Sequence, residues 1–140
     1  MNQIADIIKY AAVIINPENQ YLIVRDSDQT HWKNVGGQPL EGETPEECLR
    51  REVQEELSVK VMGTPEYYFS CPITPTVSDP TRTVQIILYR VAIEGEPKPS
   101  SEIGEIHWLS KEEFFGKKFN LTPQIEELIV PRLVADGVIE

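Results

Sequence analysis

The sequence predicts an α/β domain, a mixed β-sheet with helices packed on it. Three observations predict it. Short β-rich runs at residues 7–15, 21–24, 59–62, 66–71, 83–93 and 106–109 are interleaved irregularly with segments of helical period. Clear helix starts stand at Thr44 and Ser110. The 140 residues, 40% hydrophobic and 26% charged, suffice for one core without disulfide or structural-metal support. A single domain over residues 1–140 is expected.

The elements follow in order. Residues 7–15 and 21–24 flank the turn cluster Asn16-Pro17-Glu18-Asn19 and read as a β-hairpin. Residues 26–34 are polar apart from Trp32 and read as a loop, ending at the backbone-permissive pair Gly36-Gly37. Thr44 is a good N-cap, Pro45 suits the first helical position and Glu47 completes a capping box. That helix should reach about Leu57, burying Leu49, Val53 and Leu57. Two strand-like runs follow, then a proline-bearing surface loop at 72–80. Residues 83–93 form the best candidate for a buried strand. After a loop at 94–101 come a short strand, a short helix from Ser110, and a final helix over 122–135. That last helix lines up Ile125, Leu128, Ile129 and Leu133.

The net charge of −10, from 23 acidic against 13 basic residues, argues against a nucleic-acid polymer as partner. Gripping a phosphate backbone needs a basic stripe. Small anionic substrates stay open if a cation supplies the missing charge. Cys48 and Cys71 make neither a disulfide framework nor a metal pattern, so a reducing cytoplasm is the simplest compartment. The apolar stretch at 10–15 is too short for a signal peptide or a membrane span, and no membrane partner is expected.

The chemistry concentrates in residues 37–59. Glu52 and Glu56 are one helical turn apart with Glu55 beside them. The three carboxylates are expected on one face, roughly opposite the apolar stripe. Like charges so spaced destabilise a helix by about 0.2–0.5 kcal/mol per pair, and Arg50 and Arg51 do not neutralise the cluster. Mg²⁺ or Mn²⁺ would do so directly, because hard divalent ions take carboxylate, water and phosphate oxygens. The Gly36-Gly37 turn can bring backbone groups to the same ion or phosphate. Acidic clusters on helices are more often plain solvated faces.

Spacing shifts that balance. Gly37, five residues, Glu43, seven residues, Arg51-Glu52-Val53-Gln54-Glu55-Glu56, one residue, Ser58 and Val59 closely resemble the Nudix box, G-x5-E-x7-R-E-U-x-E-E-x-G-U. Only Ser58 departs, standing where the box has glycine. Trp32 ahead of the glycine pair and the EIHWLS segment also resemble the family. The resemblance, to MutT-like Nudix hydrolases, implies an α/β/α sandwich with the box as loop–helix–loop. It also implies hydrolysis of nucleoside diphosphates linked to another moiety. By position, Glu52, Glu55 and Glu56 would be the catalytic, metal-binding carboxylates, with the Gly36 carbonyl as a further ligand. Gly37, Glu43 and Arg51 would be structural. Serine at 58 should cost about 1 kcal/mol where a left-handed residue is needed, without removing a ligand.

The resemblance also marks weaker candidates. Glu105 lies where many family members carry an additional ligand or base, and a solvated strand-end carboxylate is the plain alternative. His107 and His31 carry less weight. Trp32 could stack on a base or simply pack. Asn120 could read a nucleobase edge, or serve near the start of the last helix. Cys48 reads as a small packing residue. The expected activity is a metal-dependent pyrophosphohydrolase. (d)NTPs or modified nucleotides come first as substrates, and ADP-ribose-type compounds second. The competing reading is a non-catalytic nucleotide sensor, whose usual mark, loss of box carboxylates, is absent. Homodimers are common in the family, but no surface patch in the sequence marks one.

Overall fold

The second half of strand β1 (Ile7–Val13) is buried on both faces, and that decides the architecture. Ala11 and Val13 enter one hydrophobic core, while Ala12 and Ile14, just past the strand, enter a second. Strand β2 (Tyr21–Asp26) does the same, sending Tyr21 and Ile23 one way and Leu22 and Val24 the other. Side chains alternate along a strand, so a continuous apolar run means burial on both sides. The structure is a computed structural model and describes residues 4–140; the first three residues of the expected 1–140 domain lie outside it.

The larger sheet is mixed. Its order is β3 (Val35–Gly37), β1, β6 (Thr83–Glu94) and β4 (Lys60–Ser70), with the short β5 (Thr74–Pro75) also on β6. β1 runs parallel to β6 and antiparallel to β3. β2 and β7 (Ile103–Leu109) form a separate antiparallel ribbon. Helix α1 (Pro45–Leu57) covers one core with Leu49, Val53 and Leu57. The C-terminal helical segment covers the other with Ile125, Ile129 and Leu133. The result is the α/β/α sandwich that the sequence led us to expect. No described helix is long and apolar enough to cross a membrane.

Three local expectations are corrected. The turn at 16–19 forms, with Asn16 Oδ1 accepting from the amides of Glu18 and Gln20 at 3.1 and 2.9 Å. The strands it joins are not a hairpin, however: beyond an Ile15–Tyr21 bridge they part into different sheets. Turn residues specify a reversal of the chain, not a partner, and the longer β6 takes β1. Residues 60–70 make one strand, not two, with irregular register around Gly63 at φ +67°. The final helix opens as a π turn (Ile125–Ile129) before α3 (Val130–Ala135). Val130 N–H donates to Ile125 O five residues back, just ahead of Pro131, which has no N–H to give. The remaining short helix, α2 (Lys111–Phe115), starts on the expected capping box of Ser110 and Glu113.

Candidate functional site

Helix α1 is fixed at both ends by its own sequence. Thr44 Oγ1 accepts from Glu47 N at 3.1 Å, and Glu47 Oε1 accepts from Thr44 N at 3.0 Å. At the other end Ser58 adopts the left-handed conformation, φ 55° and ψ 33°, that the family's glycine would take without strain. Both ends of the helix that carries Glu52, Glu55 and Glu56 are thereby defined.

Arg51 organises the loop ahead of the helix. Its Nε and Nη2 donate to the two Glu43 oxygens at 2.8 and 2.9 Å, and Nη2 also donates to Gln38 O at 3.2 Å. The guanidinium beside it lowers the Glu43 pKa to about 2, helped by the Leu40 amide. Hydrogen bonding to Glu43 in turn raises the pKa of Arg51. Arg51 Nη1 reaches Glu52 at 2.9 Å and Glu55 at 3.3 Å. Cys48 is buried, its thiol directed at Gly37 O at 3.6 Å, and burial pushes its pKa up to about 12. It packs in the interior.

The two glycines differ in what they permit. A Cβ on Gly36 would stand 2.0 Å from Tyr10 O, at φ +136°, so the backbone itself excludes a side chain there. A Cβ on Gly37 would stand 2.7 Å from Glu52 Oε1. Gly37 therefore lets the Glu52 carboxylate lie directly on the loop.

The three box glutamates do not share one wet face. At about 100° per residue, Glu56 falls beside Leu49 and Val53, and only Glu55 lies opposite the stripe. Glu56 is 6% exposed, its carboxylate accepting from Gly36 N–H at 3.2 and 3.3 Å. Burial, then the Glu52 charge, raises its pKa to about 9, against the pull of Lys33 and the Gly36 amide. Glu55 is half exposed and turned to Arg51. Among the described residues no three His, Cys, Asp or Glu side chains form a ready-made metal cluster. What the helix and loop do bring together is the pair Glu52 and Glu56, on the wall of an open cleft of about 830 Å³.

The donor set fits a hard divalent ion. Two carboxylates meet at the loop, Glu52 held by Arg51 at 2.9 Å and Glu56 buried, and their oxygens are the hard donors such an ion takes. Mg²⁺ keeps several waters and asks only one or two carboxylates of the protein.

The other candidates are placed as follows. Gly36, Gly37, Glu52, Glu55, Glu56 and Arg51 all line the cleft, as does His31. Glu105 does not: it sits exposed on the β2–β7 ribbon, ion-paired with Arg25. Glu102, at the turn into β7, does reach the cleft, as does Asp26 at the end of β2. Trp32 is a core residue off the cleft, edge-on to Phe119 and His107 at 5.6 and 6.1 Å, which is the packing alternative. Asn120 is also off the cleft; its carbonyl accepts from Trp32 N at 2.7 Å and its side chain ties to Thr30 O at 3.4 Å. His107 stacks on Phe119 at 4.3 Å and bonds Glu113 at 3.0 Å.

Two lysines on the cleft wall escaped the sequence reading, Lys9 and Lys33. Lys33 Nζ lies 2.9 Å from the buried Asp26 Oδ1, an ion pair without hydrogen-bond alignment. Lys9 is exposed and borders the cleft; desolvation, then Lys33, lowers its pKa. The missed signal was positional. Lys9 stands in the alternation Ile7, Ala11, Val13, where a core residue was due.

Known proteins resemble the chain in sequence and fold. A MutT-like protein from Streptomyces ambofaciens is 27% identical over 107 residues, 76% of this chain and 65% of that protein. The chain thus spans under two thirds of that relative's length. The MutT protein from Methanosarcina mazei Go1 superposes with a TM-score of 0.77 at 22% identity, covering 94% of each chain. The E. coli ORF135 protein superposes with a TM-score of 0.70 at 27% identity, covering 93% of this chain and 91% of that one. The model of the NUDIX domain matches residues 8–131. With that match over nearly its whole length, and the box folded as loop–helix–loop around Glu52 and Glu56, the chain belongs to the NUDIX domain family.

Proposed function

We propose that the chain is a metal-dependent pyrophosphohydrolase that cleaves the phosphoric anhydride of a nucleotide or nucleoside-diphosphate derivative. The observation that carries this reading is the Glu52–Glu56 pair, pressed against the Gly36-Gly37 loop on the wall of the cleft. A cleft of about 830 Å³ also suits a nucleotide-sized ligand. MutT-like substrates, (d)NTPs or modified nucleotides, are the first choice, since the relatives named above include MutT proteins. ADP-ribose-type substrates are the second.

Glu52 and Glu56, with the Gly36 carbonyl, would hold Mg²⁺ or Mn²⁺, and Glu55 would join them on leaving Arg51. When bound, the ion neutralises diphosphate charge and makes water a stronger nucleophile. The chain's own part is positional. Gly36 N–H and the apolar stripe hold Glu56 in place, and Arg51 locks the loop to the helix through Glu43. Gly37 leaves room for Glu52. Glu105, outside the cleft, takes no part in this arrangement. The proposed setting is a reducing cytoplasm, in keeping with two free, buried thiols.

The test is a panel of nucleoside triphosphates, ADP-ribose, nucleotide sugars and dinucleoside polyphosphates, assayed on dialysed protein with and without Mg²⁺. Cleavage of at least one member only with the ion is expected. Full rates in Glu52→Gln/Glu56→Gln would reject the assignment.

A further inference from the structure

Lys9 breaks the pattern of the sheet face on which it stands. Ile7, Ala11 and Val13 share that face of β1, and its register partner on β6 is the buried Ile86. Its side chain borders the cleft, yet among the described residues it forms no ion pair. The nearby charges acting on it are Lys33, which repels it, and Asp26, which attracts it. Asp26 is already engaged by Lys33 at 2.9 Å, so one carboxylate serves two ammonium groups. Glu102, also on the cleft wall, pairs with neither.

This surplus of positive charge is local, since the chain as a whole carries −10. Lys9 is exposed, so its charge is open to a ligand from the cleft, and in the free protein it meets no ion-pair partner among the described residues. Departures of this kind from the local pattern concentrate at binding sites. Lys9 and Lys33 share one cleft with Glu52 and Glu56. A ligand whose diphosphate lies at the glutamates would carry its next anionic group toward the two lysines.

We propose that Lys9 and Lys33 form an anion subsite that selects substrates with one phosphoryl group more than the diphosphate held at Glu52 and Glu56. This rests on the function proposed above and sharpens it. The extra group would be either the third phosphate of a nucleoside triphosphate or a phosphomonoester on the second moiety of the substrate.

Two matched pairs separate these sources: a nucleoside triphosphate against its diphosphate, and ADP-ribose 2′-phosphate against ADP-ribose. For at least one pair, wild-type kcat/KM should favour the extra phosphate tenfold or more, roughly what a charge-assisted contact gives. Lys9→Met keeps length and packing but removes the charge; it should erase most of that preference through KM, and Lys9→Arg should restore it. Calorimetric binding of α,β-methylene analogues in Mg²⁺ gives a readout independent of turnover. Lys9→Met should weaken the triphosphate analogue about tenfold and the diphosphate analogue less than twofold. Charge-selective binding without turnover would support the subsite and defeat the hydrolase reading. Turnover with an unchanged preference, or equal weakening of both analogues, would overturn the subsite alone. Binding of neither analogue would overturn both.

Discussion

Arg51 holds Glu43 side-on, Nε to Oε2 at 2.8 Å and Nη2 to Oε1 at 2.9 Å, and so ties the loop after Gly37 to the middle of α1. A two-pronged contact of this kind fixes orientation as well as distance. Lysine keeps the charge and loses the fork. Arg51→Lys should therefore lower kcat/KM by about 10–100-fold, the usual effect of disturbing groups that orient metal ligands. Circular dichroism should stay native. The Glu43 pKa, lowered to about 2, gives the sign of the pH effect. The ion pair contributes fully above the ordinary carboxylate pKa and is lost as pH falls toward 2. Glu43→Gln should accordingly flatten acid unfolding between about pH 4.5 and 2; an unchanged acid limb would refute this.

Glu56 behaves in the opposite sense. Burial and the neighbouring Glu52 raise its pKa to about 9 in the metal-free protein. A carboxyl whose pKa is raised on folding supports the fold below its unfolded pKa, and that support is lost as pH rises through the folded value. In EDTA, wild-type Tm should fall as pH climbs from about 4.5 toward 9. Glu56→Gln cannot ionise and should flatten that slope, raising Tm at pH 8 by about 4 °C or more while abolishing metal-dependent turnover. Parallel Tm–pH curves for the two proteins would contradict the burial argument.

The two loop glycines should separate in their effects. Gly36→Ala meets backbone at 2.0 Å and should destabilise the fold by about 3 kcal/mol or more. Gly37→Ala meets the end of a flexible side chain at 2.7 Å, which can rotate away. It should fold nearly normally and lose activity at least tenfold as Glu52 is displaced. Chemical denaturation with parallel kinetics distinguishes them, and equal stability losses would show that Glu52 does not lie on Gly37 as described.

Much of this site is local and was therefore legible in the sequence. The Thr44–Glu47 box and the Leu49/Val53/Leu57 stripe need only helix geometry, and the structural role of Glu43 and Arg51 comes from the resemblance to the Nudix box. The left-handed cap at Ser58 is expected only because the resembling box has glycine there. What failed was tertiary. The turn at Asn16 could not say that β1 would leave β2 for β6. Glu56 continues the buried spacing Leu49, Val53, Glu56, a four-then-three step overlooked because the residue is acidic. Trp32, Asn120 and Glu105 are spoken for by Phe119, Thr30 and Arg25, partners that only the folded chain supplies. Lys9 needed the strand pairing before its neighbours could be known to be core.

The most direct measurement is Mn²⁺ binding followed by electron paramagnetic resonance, with a non-hydrolysable nucleotide analogue present. Wild-type protein should take up the ion saturably, and Glu52→Gln/Glu56→Gln should lose that uptake while keeping its fold. Equal uptake by the two proteins, or none by wild type, would contradict the claim that this glutamate pair is the metal centre.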